Sequence, residues 1–394
     1  MAVQENNKEC CGCGACENIC PKHAISLVED QETFLYPRVD SDACINCGLC
    51  EKTCPLNYDS FIAPDDVQSF VGTYRSDDVI YHSSSGGAFT ALYETYISRG
   101  FKVYGVQWDN NLKVVHGAAA TIEECEKFRK SKYIQSYYNG CYEKIAVDLK
   151  TGHNVLFSGV SCQCAALSSY LKTKRVDDTN LVTVNILCHG VPSQKMFDEY
   201  IAEEEKKEAS QVSRFGFKNK QALMGKVNSR TGVIEFRNGH SYIRTVEDDA
   251  FFRGYYRRLF YRPSCAVCHF TRKERVSDFT IADAWNIDRI KSGYNPLAGV
   301  SLILFNTEKA KETLDDMKSK MSLEEVPNEW ALSSQRLFRL PTTLHKNRDK
   351  FFELWHELGF EKAVFRCTKP SLSVRLARLL PTGMRSKMKA ILKR

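Results

Sequence analysis

The stretch Cys10–Pro21, CCGCGACENICP, recurs as Cys44–Pro55, CINCGLCEKTCP. Both copies follow Cys-x2-Cys-x2-Cys-x3-Cys-Pro, with Cys10, Cys13, Cys16 and Cys20 in the first and Cys44, Cys47, Cys50 and Cys54 in the second. A [4Fe–4S] cube needs four thiolates around one small body, and a tight loop supplies three of them from the Cys-x2-Cys-x2-Cys turn. The fourth comes from the other run, so Cys10, Cys13, Cys16 and Cys54 are expected to hold one cluster, and Cys44, Cys47, Cys50 and Cys20 a second. Pro21 and Pro55 stop the short helices and turn the chain away. A pair of zinc knuckles is the competing reading, but it leaves the x3-Cys-Pro elements unexplained. Cys11 lies outside the spacing and reads as a spare residue rather than a ligand.

Nine of the 17 cysteines fall in the first 54 of 394 residues, which is a local cofactor module and not a disulfide scaffold spread along a secreted chain. Residues 8–57 resemble the two-cluster bacterial ferredoxin domain, and a domain over 1–60 is expected. The resemblance implies one-electron transfer without naming a reaction. Neither a basic-then-apolar leader at the N-terminus nor an apolar run of about 18 residues is visible. The reading is a soluble cytoplasmic protein, where reducing surroundings keep thiolates available. The formal net charge is +7, yet residues 362–394 carry ten Lys or Arg and no acid, so 7 − 10 leaves −3 for the remainder. A nucleic-acid-binding body is therefore disfavoured, and no groove-reading motif is present.

Beyond a turn-rich stretch from Asp59 to Asp66, β-rich runs alternate with helical patterns over 66–365. Phe101–Trp108, Lys113–His116, Asn154–Phe157, Leu181–Leu187, Phe279–Ile281 and Val300–Asn306 read as strands, and Gly87–Ser98 and Gln194–Glu208 as helices, the latter capped by Ser193. The order predicts an α/β frame with a mixed sheet. Residues 212–246, with Asn238-Gly239 between alternating runs, read as β-hairpin material inserted in that frame. The small-residue loop Ser83–Gly87 precedes a helix, a place where backbone amides meet phosphate.

Five motifs, in order, resemble the coenzyme F420 hydrogenase/dehydrogenase beta subunit family, which includes 7-hydroxymethyl chlorophyll a reductase. They are Ser84–Gly87, the Ser131–Ser136 segment, Gly159-Val-Ser-Cys162-Gln163, the Cys188–Ser193 element CHGVPS, and Cys265-x2-Cys268 followed by Asp283-Ala284-Trp285. The resemblance spans about residues 67–310. It implies an iron–sulfur flavoprotein that binds FAD, with an α+β ferredoxin-type two-cluster domain followed by an α/β flavin-binding domain with mixed sheet. It makes Ser85, Gly86, Gly87 and Thr90 candidate FAD phosphate or ribose contacts, and Ser131, Lys132, Tyr133 and Gln135 candidate flavin-pocket residues. Lys132 would compensate phosphate charge or stabilise an anionic reduced flavin; the plain alternative is a solvated lysine in a basic stretch. Trp285 is either a pocket wall or a core tryptophan. Ala282 and Val160-Ser161 depart from the family's Gly and Thr-Pro at those places, and the 214–245 insert departs too.

Cys162, Cys188, Cys265 and Cys268 are four thiols at strand ends and on one Cys-x2-Cys loop, enough for a third [4Fe–4S] cluster. Inert buried cysteines, or a Cys265/Cys268 disulfide, are the alternatives. His189 is the candidate catalytic proton donor, given an intrinsic pKa near neutral, or else a hydrogen-bond partner of a cluster sulfur.

The expected function is an iron–sulfur flavin-dependent oxidoreductase that relays single electrons through the clusters to FAD for two-electron reduction or oxidation of an organic substrate. The resemblance also reaches surface-polysaccharide biosynthesis proteins. The rival is a non-catalytic electron-transfer subunit docking to a partner enzyme. Expected partners are a redox donor or acceptor protein, or a deazaflavin or nicotinamide coenzyme. A basic amphipathic tail over 366–394, with Leu372, Leu376 and Leu379 on one face, offers peripheral contact at the inner membrane surface or with a partner, against the plainer reading of a solvated tail.

Overall fold

The structure is a computed structural model that describes residues 7–64, 67–218, 220, 231–290, 293–294 and 299–369. The basic tail from Pro370 onward, with its leucine face, lies outside the described residues.

Each cysteine run ends in a short helix, Ala15–Ile19 and Leu49–Lys52, and each helix is preceded by a left-handed glycine, Gly14 (φ 71°) and Gly48 (φ 70°). That conformation is cheap only for glycine and lets the loop turn back around one centre. Between the runs, β1 (Ile25–Glu29) and β2 (Leu35–Val39) pair antiparallel.

The chain then contributes β3 (Gln68–Tyr74), β4 (Phe101–Trp108), β5 (Val114–Ala119), β6 (Asn154–Val160) and β7 (Leu181–Ile186) to a large sheet. It leaves that sheet for β8 (Val212–Phe217), β9 (Thr231–Phe236) and β10 (Ser241–Thr245), an antiparallel three-stranded sheet, and returns as β11 (Phe279–Asp283), β12 (Ser301–Phe305) and β13 (Met321–Glu325). The large sheet has eight strands in the order β13-β3-β12-β11-β7-β6-β4-β5. Strands β11, β7, β6 and β4 run parallel, and antiparallel neighbours close both sides. The central strands are buried on both faces, as in SLILF of β12, which explains why they read as continuous apolar runs.

The frame is the mixed α/β expected from the sequence. Phe101–Trp108 and the helix Gln194–Glu208 coincide with their predicted ranges, and Ser193 Oγ accepts from the Met196 amide as the cap. Within the expected 212–246 segment, β8, β9 and β10 form the inserted antiparallel sheet, with Asn238-Gly239 at the turn between β9 and β10.

Register aligns one rim of the large sheet. Val160 pairs with Ile186, Ile186 with Ile281, and Asp283 with Ser301, so the carboxyl ends of β6, β7 and β11 open together. Open α/β sheets carry their chemistry at such an edge.

The cluster module is not a separate bead. Phe34 and Tyr36 belong to the core built on β8, β9 and the helix Ala250–Tyr256, and Ala15 and Ile19 to the core under the helix Ser161–Lys174. Arg348 pairs with Glu32 (Nη1–Oε1 2.7 Å), and the linker residue Ile62 makes an antiparallel bridge with Arg275.

Candidate redox site

The two cysteine runs face one another across their helices. The Cys16 thiol is raised above the ordinary range, first by burial and then by Cys10 and Cys54 beside it. Burial likewise raises Cys50, whose neighbours are Cys47 and Cys20. Cys50 also bears on Cys16 and on Cys54, so the two runs lie close together. Burial pushes Cys54 up to about 11. A buried thiol resists ionisation unless a metal takes the proton's place, which suits this all-sulfur donor set to iron. Backbone amides point at the sulfurs, with Gly12 N donating to Cys10 Sγ at 3.4 Å and Ala24 N to Cys20 Sγ at 3.3 Å.

Cys162, Cys188, Cys265 and Cys268 come from three places in the chain and meet at the rim. Cys162 stands at the start of the helix after β6, Cys188 just beyond β7, and Cys265 and Cys268 on and after the 3-10 turn Pro263–Val267. Cys162 is raised by its hydrogen bond with Cys11, by burial, and by Cys268 and Cys188. Cys265 is raised by burial, then Cys188 and Cys268, and Cys188 is pushed up to about 11 by burial. Gly190 N donates to Cys188 Sγ at 3.3 Å. All the cysteines are free, so Cys265 and Cys268 form no disulfide. Cys125, Cys141, Cys164 and Cys367 are buried in apolar surroundings.

Cys11 is not idle: it is hydrogen-bonded with both Cys13 and Cys162, contacts that hold its thiol well below the usual range. It stands between the first cysteine run and the rim thiols. Around it, Gln135 Nε2 donates to the carbonyls of Cys11 (3.0 Å) and Gly12 (3.3 Å), and Tyr142 OH donates to that of Cys13 (3.2 Å). Gln135, expected in a flavin pocket, thus clamps the cluster loop, because its amide is spent on that backbone and on Arg262 (3.1 Å).

The Ser84–Gly87 loop is closed by the protein itself. Ser301 Oγ accepts from Gly86 N at 3.0 Å, Ser85 Oγ donates to the Val300 carbonyl at 2.9 Å, and Thr90 is buried in the helix Ala88–Ser98. A Cβ on Gly86 would stand 2.4 Å from the Gly72 carbonyl, and one on Gly87 (φ 91°) 2.8 Å from Tyr74 Cβ. Close backbone packing leaves no room for a side chain at either glycine.

Lys132 is held by backbone. Its ammonium donates to the carbonyls of Lys127, Arg129 and Lys130 at 2.9–3.3 Å, and burial pulls it down to about 7. Three backbone carbonyls thus surround its ammonium. Ser131 N donates to Ser84 Oγ at 2.7 Å, and Tyr133 stacks on Tyr255 with centroids 4.8 Å apart.

The cation that does reach the rim is Lys218, at the end of β8. Its Nζ lies 2.6 Å from Asp283 Oδ2 and 3.4 Å from the Ser84 carbonyl. Burial works against its charge, but Tyr133 and Asp283 outweigh that and hold it above the usual lysine range. His189 Nδ1 is 3.0 Å from Tyr261 OH. Burial, then Lys218, pull its imidazole from its intrinsic value down to about 4. Trp285 is 53% exposed and is not a core tryptophan.

Residues 152–329 match the family model for the C-terminal part of the coenzyme F420 hydrogenase/dehydrogenase beta subunit, and residues 9–58 match that of the 4Fe-4S dicluster domain. Over residues 152–329 the chain is related to the F420 hydrogenase/dehydrogenase beta subunit. It is an iron–sulfur protein of oxidoreductase type with a dicluster domain at its N-terminal end. No curated protein matches it. Among solved structures it is similar to a chain of the xenon-derivatized F420-reducing [NiFe] hydrogenase complex from Methanosarcina barkeri. The identity is 16%, the TM-score 0.46, and the match covers 75% of this chain and 94% of that one.

The span matched by the first of these models contains Cys162, Cys188, His189, Cys265, Cys268 and Asp283. Sequence reasoning missed Arg262, Ser301 and Lys218. Arg262 carries one local signal, its place three residues before Cys265; Lys218 carries another, its place in the insert that departs from the family pattern. No helix among the described residues is long and apolar enough to cross a membrane.

Proposed function

We propose that this chain is an iron–sulfur flavoprotein oxidoreductase. In this reading Cys44, Cys47, Cys50 and Cys20 hold an outer [4Fe–4S] cluster, Cys10, Cys13, Cys16 and Cys54 an inner one, and Cys162, Cys188, Cys265 and Cys268 a third, with FAD at the sheet rim. When bound, the clusters carry electrons singly and FAD provides the conversion to two-electron chemistry on an organic substrate.

The observation that carries the reading is the convergence of four thiols from three chain segments on one rim, joined through Cys11 to the first cysteine run. Exposure gives the outer end: Cys47 is exposed and Ile45 beside it is 57% exposed, an accessible apolar edge for a redox partner protein. At the rim, Lys218 keeps a fixed positive charge, Tyr133 and Tyr255 supply a flat aromatic wall, and neutral His189 hydrogen-bonds Tyr261. Such a charge favours electron density placed near it.

Replacing Cys265 and Cys268 together by Ser tests the third site. Iron is expected to fall by about four per chain while the dicluster signals remain. Unchanged iron would remove the third cluster from the account.

A further inference from the structure

Arg275 stands between the Cys265–Cys268 loop and β11 and is 1% exposed, yet the acceptors its guanidinium meets are all neutral. Nη2 donates to Asn185 Oδ1 and, at 3.2 Å, to Ser161 Oγ; Nη1 donates to the Arg272 carbonyl at 2.9 Å and Nε to Thr280 Oγ1 at 3.3 Å. The guanidinium carbon lies 5.0 Å from the centroid of the Phe338 ring. No carboxylate pairs with it among the described residues: Glu274 pairs with Arg272 at 3.0 Å, and Asp278 accepts from Thr183 and Thr307. An arginine buried this fully ordinarily has an ionic partner, as Arg348 has in Glu32.

What surrounds Arg275 instead is the group of rim thiols. Ser161 immediately precedes Cys162, and Asn185, which also donates to Ser161 Oγ at 3.0 Å, stands three residues before Cys188. Burial works against the Arg275 charge; the thiols of Cys164 and Cys268 favour it first, and Glu274 only after them. The backbone beneath the side chain is pinned as well, since Arg275 N donates to the Ile62 carbonyl at 3.0 Å and Ile62 N to the Arg275 carbonyl at 2.8 Å. An ordered guanidinium, charged at every working pH and withdrawn from water, is therefore kept beside the rim cysteines.

A buried charge without a counter-charge is costly. Four thiolates around an iron–sulfur core form an anion, and the one electron such a core accepts adds a further negative charge without a proton. The two requirements answer one another, because in a low-dielectric interior a fixed cation acts on that added charge far more strongly than it would in water.

We infer that Arg275 is the built-in counter-charge of the site formed by Cys162, Cys188, Cys265 and Cys268, so that an electron is held more tightly there. The inference rests on the third cluster of the proposed function and deepens it, assigning control of that site's reduction potential to one side chain that is not a ligand.

The test is an EPR-monitored redox titration of the anaerobically purified full chain, as wild type, Arg275→Gln and Arg275→Lys. Gln keeps hydrogen-bonding atoms and loses the charge, whereas Lys keeps the charge. The signal of the third site is the one absent from the Cys265→Ser/Cys268→Ser variant. In Arg275→Gln the midpoint potential of that signal is expected to fall by at least about 59 mV, a tenfold change for a one-electron couple, while the dicluster signals stay in place and Arg275→Lys remains near wild type. Loss of about four irons from Arg275→Gln but not from Arg275→Lys also supports the counter-charge, as a site that does not hold its cluster without the cation. An unmoved potential in Arg275→Gln, equal shifts in both variants, or equal loss of iron from both would overturn the inference and leave the third cluster standing. About eight irons in the wild type would contradict the three-cluster reading itself and remove the inference with it.

Discussion

Arg262 donates from Nε to the carbonyl of Cys10 at 2.8 Å, so the segment that leads to Cys265 is bonded to the loop that opens the first cysteine run. The guanidinium also reaches the Leu35 carbonyl at 2.8 Å and Gln135 Oε1 at 3.1 Å, and lies 4.3 Å from the centroid of Tyr36. Arg262 is 1% exposed. One buried side chain therefore fixes the dicluster module, the Gln135 clamp and the Cys265-Cys268 loop relative to each other, and electron transfer between them needs such fixed separation.

Replacing Arg262 by Met keeps apolar volume but orphans the Cys10 and Leu35 carbonyls, each costing about 1–3 kcal/mol. Thermal unfolding of the holoprotein is expected to shift down by several degrees, and internal electron transfer followed by rapid mixing to slow. A variant with wild-type melting and wild-type transfer would remove Arg262 from this role.

Gly14 and Gly48 occupy equivalent places in the two runs and share the left-handed backbone, but their surroundings differ. A Cβ on Gly14 would meet Tyr138 Oη at 1.8 Å, whereas one on Gly48 meets nothing within 4 Å. Gly14→Ala should displace Tyr138, which lies 3.0 Å from the Gly14 carbonyl and 2.8 Å from Glu17, and lose iron from the inner cluster. Gly48→Ala should cost only the backbone strain of about 1–2 kcal/mol and keep its iron. Iron analysis of the two variants side by side checks this, and equal losses would contradict it.

Cys11→Ala should leave iron content at the wild-type level, because the thiol contacts Cys13 and Cys162 without completing either set of four. A loss of about four irons would make Cys11 a ligand instead.

Asp249 gives a pH signature away from the clusters. It is 3% exposed, caps the helix Ala250–Tyr256 by accepting from Phe252 N, and accepts from Tyr200 OH at 2.7 Å. Burial pushes its carboxyl up from 3.8 to about 6. The folded state then binds this proton more tightly than the unfolded chain. The contribution is full below about pH 4 and is lost as pH rises through about 6, some 3 kcal/mol in all and about 1 kcal/mol between pH 5 and 7. Asp249→Asn keeps the cap acceptor without the ionisation. Its melting temperature should gain on wild type from pH 5 to 7; a constant difference would contradict the assignment.

The ligand spacing was legible because a cube imposes it on consecutive residues, and the central strands because burial on both faces writes an apolar run. Strand β3 was missed although QSFVGTY is largely buried, since it follows the turn-rich linker without a clear boundary. Strand β13, MSLEE, sits at the sheet edge, where its polar residues carry no strand period. The same limit hid Ser301, Arg262 and Lys218. Each acts on a partner far along the chain, Gly86, Cys10 and Asp283, so no local pattern betrays it. Gly86 and Gly87 look alike whether a phosphate or a neighbouring strand needs the space. The approach of Gly72 and Tyr74 is visible only in three dimensions.

The central claim is a chain of three clusters leading to a flavin. Anaerobic purification followed by iron, sulfide and flavin quantitation tests it most directly. The account predicts about twelve irons, a matching amount of sulfide and about one FAD per chain; about eight irons with no flavin would contradict it.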